Sequence, residues 1–146
     1  MVLDPDFREF CQLLNENNVR YLIIGGLAVA FHGYPRYTKD IDIWLWLNPD
    51  NAKNVVKSLA DFGFKSLGLT IDDFLESDTI IQLGHPPNRI DLILTASGVD
   101  FEECYQSRID EEIDGILLPF IDLQNLKKNK RAVGRTQDLA DIENLE

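Results

Sequence analysis

Apolar positions recur along this chain in two rhythms, and the rhythms alternate. Phe7, Phe10, Cys11 and Leu14 fall three and four residues apart, the stripe of an amphipathic helix. Asp4-Pro5 supplies an N-cap and a proline at the first helical position, and Asn15 to Asn18 end the helix. Val19 to Ile24 predicts the first strand, and its Tyr21-Leu22-Ile23-Ile24 run reads as buried. "GLAVAF", residues 26–31, returns to helical composition, closed by His32-Gly33 and broken by Pro35. Lys39 to Leu47 predicts the second strand. Asn48-Pro49-Asp50 then opens a helix with Val55, Val56, Leu59 and Phe62 inward and Gly63 as its stop.

Beyond Gly63 the pattern loosens. Leu67 to Phe74 suggests a short helix around "TIDDFL". Thr79 to Leu83 and Arg89 to Thr95 read as strands joined by "GHPPN", a turn by composition. Val99 to Ser107 is helical in spacing. Asp114-Gly115 between apolar runs predicts a hairpin turn leading into a strand over Ile116 to Ile121. Leu123 to Ala132 and Gln137 to Leu145 are two closing helices separated by Gly134. No repeat, low-complexity tract or linker interrupts this order. The expectation is one domain over residues 1–146, α/β or α+β, with a mixed central sheet flanked by helices.

Charge narrows the function. Lys plus Arg is 14 and Asp plus Glu is 25, so the net charge is 14 − 25 = −11. Such a chain is not built to coat nucleic acid along its whole surface, and a polyanionic ligand needs a local cationic patch or bound metal. No apolar stretch approaches the roughly 20 residues of a membrane span, and the N-terminus lacks a secretion-signal layout. Cys11 and Cys104 sit on separate helices without metal-site spacing and read as reduced packing residues. A cytoplasmic protein without membrane contact is expected.

The chemistry concentrates in "GGLAVAFHGYPRYTKDIDIWL", residues 25–45. Alternation puts Asp40 and Asp42 on one face of the second strand, about 6–7 Å apart at Cα, with Ile41 and Ile43 facing the core. Two carboxylates that close raise one another's pKa unless a cation neutralises them, and a divalent ion with oxygen ligands does so. Asp91 in "RIDLIL" repeats the pattern, a single acid inside an apolar strand, and is the candidate third ligand. An edge strand charged against aggregation explains one such acid poorly and three worse. Gly25-Gly26 directly follows the first strand, where glycine lets phosphate oxygens approach backbone N–H groups. It is neither GxGxxG nor a Walker A loop.

"GG" followed by "DID" and a later strand aspartate resembles the catalytic core of the DNA polymerase β-like nucleotidyltransferase superfamily. "HGYPRYTKDIDIWL" and "DLQNLKKNKRAVGRTQDLADIENLE" resemble its small single-domain bacterial branch. That branch holds minimal nucleotidyltransferases and the nucleotidyltransferase-like toxins of abortive-infection toxin–antitoxin systems. The resemblance covers most of residues 19–146 and implies a nucleotidyltransferase fold. It also implies transfer of NMP from an NTP to an acceptor hydroxyl with two Mg²⁺ or Mn²⁺ ions. Asp40 and Asp42 would hold both ions; Asp91 would hold the catalytic ion and serve as base or orienter. One position departs from the pattern: many members carry Gly-Ser at the phosphate loop, and here residue 26 is Gly.

Other residues divide between site and scaffold. Arg36 and Thr38 are candidates for phosphate contact, whereas Lys39 reads as a solvated loop residue. His32 reads as a helix-end cap, and Tyr34 and Tyr37 either stack on a base or pack. Lys127, Lys128, Lys130, Arg131 and Arg135 place five cations within nine residues of an otherwise acidic chain. Lys127 and Lys130, one helical turn apart, are expected to face the cleft and meet phosphate, with Arg135 next. Asp138 and Asp141 are expected to tie back to these bases or to cap the last helix. The acceptor is open among a small molecule, a protein side chain and an RNA 3′ end, and a homodimer or a cognate toxin or antitoxin is the expected partner. The competing function is a nucleotidyltransferase-fold member of a toxin–antitoxin or phage-defence pair that acts mainly by binding its partner protein.

Overall fold

The computed structural model describes residues 3–34, 40–84 and 89–145. The chain begins with α1 (Pro5–Glu16), where the Asp4 carboxylate accepts the N–H groups of Asp6 and Phe7, each at 3.1 Å. Its four stripe residues Phe7, Phe10, Cys11 and Leu14 are buried, as the spacing requires. Then follow β1 (Tyr21–Ile24), α2 (Gly25–Phe31), β2 (Asp40–Leu45) and α3 (Pro49–Phe62). Asn48 caps α3, and Gly63 ends it in the left-handed region at φ 101°. Val55 and Leu59 are buried, and Val56 and Phe62 pack against the core half-exposed.

β1 starts later and β2 ends earlier than the sequence suggests, and one helix side chain sits at both of these ends. The buried Asn51 side chain accepts the N–H of Arg20 at 2.8 Å and donates to the carbonyls of Arg20 and Trp46, each at 3.0 Å. Past the strand ends the Trp46 N–H still reaches the Arg20 carbonyl at 3.2 Å, and the Asn51 side chain takes up the remaining polar groups of Arg20 and Trp46.

The predicted helix over Leu67 to Phe74 is instead two 3-10 turns, Lys65–Leu67 and Ile71–Phe74. Gly68 splits them in the left-handed conformation, and Thr70 with Asp73 caps the second. The chain continues through β3 (Ile80–Leu83), β4 (Arg89–Ile93) and α4 (Phe101–Gln106) to β5 (Ile109–Ile113) and β6 (Ile116–Phe120). Asp114 and Gly115 both have positive φ, 53° and 83°, which sets the tight hairpin between β5 and β6. α5 (Leu123–Val133) and α6 (Thr136–Leu145) close the chain.

The strands form one mixed sheet in the order β3-β4-β2-β1-β6-β5. β2 lies between β1, antiparallel to it, and β4, parallel to it. β1 is buried at all four positions, the signature of a central strand. α1 packs on α3 and β6, and α2 on β1, β2 and α5, so apolar side chains from all of them meet in one core. Cys11 and Cys104 are free and buried within it. Burial pushes both thiols up, that of Cys104 to about 11, which leaves them unreactive. Among the described residues no helix is long and apolar enough to cross a membrane.

Candidate active site

The register of β2 on β4 builds the site. Asp40 lies opposite Arg89 and Asp42 opposite Asp91, on parallel neighbouring strands. Side chains two apart share a face, so these four residues form a charged square on one side of the sheet. Ile43, of opposite parity, is fully buried, and Ile41 is half-buried against the core. The three aspartates singled out in the sequence are therefore brought together.

The fourth corner is a residue that the sequence did not single out. Arg89 Nε donates to Asp91 Oδ1 at 2.8 Å, and its Nη2 donates to Asp91 Oδ2 at 3.2 Å and to Asp40 Oδ2 at 2.8 Å. The carboxylates on either side hold this guanidinium above its usual range, through the hydrogen bond to Asp91 first and then the charges of all three acids. A signal was present: Arg89 stands two residues before Asp91 in a strand and must share its face.

Asp42 is the strained member. Burial, then the charges of Asp91 and Asp40, push its carboxyl up to about 6, while Lys130 and Arg135 pull it down. It also explains the first glycine. Asp42 pairs in register with Ile24, and a Cβ built on Gly25 would collide with Asp42 Oδ2. Gly25 also sits at φ 68°, a conformation that L side chains rarely adopt. Its missing side chain makes room for a carboxylate of the protein itself. Gly26 is buried in the first turn of α2.

The basic tail is arranged differently from the expectation. Lys130 is 4% exposed, and its ammonium meets Asp138 at 3.0 Å and Asp141 at 3.1 Å. Arg135 closes on Asp138 at 2.8 Å from the outside. Burial alone would raise the Asp138 carboxyl; hydrogen bonds from Arg135 and Lys130, with their charges, bring it below its usual value. Asp138 and Asp141 thus tie back to the bases as anticipated, and Lys130 is committed to them rather than turned outward. Its charge still reaches Asp42. Lys127 is half-buried one turn earlier, and Arg131 is exposed. His32 bonds through Nε2 to the carbonyl of Ile121 at 2.7 Å, a structural role. Arg36, Tyr37, Thr38 and Lys39, with residues 85–88 of the predicted turn, lie outside the described residues.

The donor set is right in kind for a hard divalent cation: three carboxylates, no sulfur and no imidazole. With Arg89 bridging Asp40 and Asp91, no three His, Cys, Asp or Glu side chains among the described residues converge as a ready metal cradle.

A mixed sheet in this order, carrying its acids on two parallel inner strands, is a nucleotidyltransferase fold. Three solved structures match it over nearly the whole chain. TM1012 from Thermotoga maritima, assigned as a nucleotidyltransferase, matches with a TM-score of 0.65 at 14% identity, over 98% of this chain and 94% of that one. The lincosamide antibiotic adenylyltransferase LnuA, solved with lincomycin bound, matches at 0.61 and 18% identity, over 99% and 96%. An antigenic nucleotidyltransferase-like protein from Paracoccidioides brasiliensis matches at 0.54 and 16%, over 96% and 74%. No protein-family model matches the chain, and no curated protein matches it in sequence. At these identities the likeness is one of fold.

Proposed function

We propose that this protein is a nucleotidyltransferase that moves NMP from an NTP to an acceptor hydroxyl, with Mg²⁺ or Mn²⁺ held by Asp40, Asp42 and Asp91. One observation carries the reading: among the described residues three carboxylates on one face are met by the Arg89 guanidinium, and burial with the neighbouring acids pushes the Asp42 carboxyl up to about 6. A site with excess negative charge at a protein's own cost is built for a cation.

Bound divalent ions supply the positive charge that offsets the reacting phosphate and the departing pyrophosphate. The chain's residues do the rest. Asp40 and Asp42 bind and fix the ions, and Asp91 orients the acceptor hydroxyl and accepts its proton. The acceptor oxygen bonds to the α-phosphorus as the bond to pyrophosphate breaks. Gly25 and Gly26 offer only backbone, so phosphate grip by side chains is assigned to Arg36, Thr38 and Lys127. Lys130 assists through its charge, from its place among Asp138 and Asp141.

The acceptor reading favours a small molecule. A cavity of about 490 Å³ is lined by Trp44, Trp46, Val99 and Phe101, with Asp100 and Glu102 also in its wall. Trp44 stands two residues beyond Asp42 and shares its face of β2, which links this cavity to the strand that carries the acids. The Trp44 indole N–H is buried with no hydrogen-bond partner among the described residues. Aromatic walls and two acids suit a hydroxylated organic cation. LnuA, whose structure holds lincomycin, is a neighbour in fold.

The test is label transfer. Wild-type protein is incubated with each α-labelled NTP, Mg²⁺ or Mn²⁺, and cell extract, beside an Asp40→Asn/Asp42→Asn variant. Metal-dependent transfer that the variant loses supports the reading. Absence of transfer with every NTP, or transfer that survives in the variant, overturns it.

A further inference from the structure

The charged square contains a cation of its own. One guanidinium takes acceptor positions on two of the three carboxylates assigned to metal: Asp40 at 2.8 Å, and Asp91 through both oxygens at 2.8 and 3.2 Å. A lone pair that accepts from a guanidinium is not free for a hard cation at about 2.0–2.1 Å. The contrast with Lys130 is informative. That ammonium is 4% exposed and enclosed by acids, whereas the Arg89 side chain is 24% exposed and starts from the first residue of β4. Arg89 is therefore the less enclosed of the two cations.

We infer that Arg89 is a displaceable internal counter-ion that occupies Asp40 and Asp91 in the nucleotide-free protein and yields them when metal enters with nucleotide. Guanidinium pairs with phosphate in the same forked geometry it uses with carboxylate, so triphosphate is the group able to draw it off. Metal alone must compete with the clamp; metal with nucleotide does not. Binding of the two is cooperative, and the clamp excludes ions from an empty site. This inference rests on the metal-dependent reading above.

The test is Mn²⁺ binding, by electron paramagnetic resonance or calorimetry, with and without α,β-methylene ATP. Wild type, Arg89→Gln, Arg89→Lys and Asp42→Asn are compared. Arg89→Gln is expected to bind Mn²⁺ alone about tenfold or more tighter than wild type, the scale of one charge-assisted hydrogen bond, and to bind the nucleotide analogue more weakly. Arg89→Lys keeps the charge without the fork and is expected to fall between them; it carries the test if the Gln variant does not fold. Mn²⁺ binding that requires Asp42 yet is unchanged or weakened by both Arg89 variants overturns this inference and leaves the site reading standing. Equal Mn²⁺ affinity of wild type with and without analogue also overturns it. No Mn²⁺ binding by any of the four proteins overturns both.

Discussion

Two clusters of charge lie near each other in this protein, and their composition differs. On α5 and α6, Lys130 and Arg135 meet Asp138 and Asp141, two cations against two anions, with Gln137 donating a further 2.8 Å hydrogen bond to Asp141. Across β2 and β4, three aspartates meet one arginine. The first cluster is matched and sealed: Asp138 and Asp141 are 1% and 0% exposed. The second, among the described residues, sets one arginine against three aspartates, and its Asp42 is pushed up to about 6. A balanced cluster holds two helices together. An unbalanced one waits for charge from outside, and that imbalance separates a candidate site from scaffold built of the same residue types.

The two clusters are expected to respond to substitution with opposite sign. Lys130→Met leaves two buried carboxylates without their shared ammonium and is expected to cost about 3–5 kcal/mol, read as a shift in the denaturant midpoint. A loss under about 1 kcal/mol would show that the α5–α6 cluster is not structural. Gly25→Ala meets both a positive φ and the Asp42 carboxylate and is expected to cost about 2–3 kcal/mol. Adding Asp42→Ala is expected to recover the collision and leave about 1 kcal/mol for the backbone. Additive losses would place the two residues out of contact.

Asp42→Asn is expected to stabilise the metal-free protein. The Asp42 carboxyl is raised from 3.8 to about 6 in the fold, so the folded state holds this proton more tightly than the unfolded chain. The stability it contributes is present below pH 4 and lost as pH rises through 6, on the order of 2–3 kcal/mol for this group alone. Asp40, Asp91 and Arg89 face it on β2 and β4, and Lys130 and Arg135 reach it from the basic tail. In EDTA at pH 7.5 the Asn variant is expected to melt above wild type, with the difference shrinking toward pH 4. A variant that melts lower at pH 7.5 would mean that the charge is already matched.

Much of this was readable in the sequence because it is local. Asp4-Pro5, Asn48-Pro49 and Gly63 set helix ends through bonds within a few residues, and period-two alternation put Asp40 and Asp42 on one face. What escaped depends on distant partners. Asn51 is an ordinary helix residue until the backbone of Arg20 and Trp46 arrives beside it. Lys130 reads as a cleft-facing base for phosphate because the acids that enclose it follow 8 and 11 residues later, on a helix that folds back. Gly25 reads as a seat for phosphate, yet its missing Cβ accommodates Asp42. β5 was obscured because "IDEEI" is exposed at four of its five positions. Arg89, at a strand's first position, has the pattern of any solvated residue until Asp40 lies opposite it.

The difference between the clusters is tested most directly by calorimetry of Mn²⁺ and α,β-methylene ATP on wild type and on a folded Asp40→Asn/Asp42→Asn variant. The account predicts metal-dependent nucleotide binding by wild type and its loss in the variant, whose melting temperature is no lower. Equal binding by both proteins, or none by wild type, would contradict it.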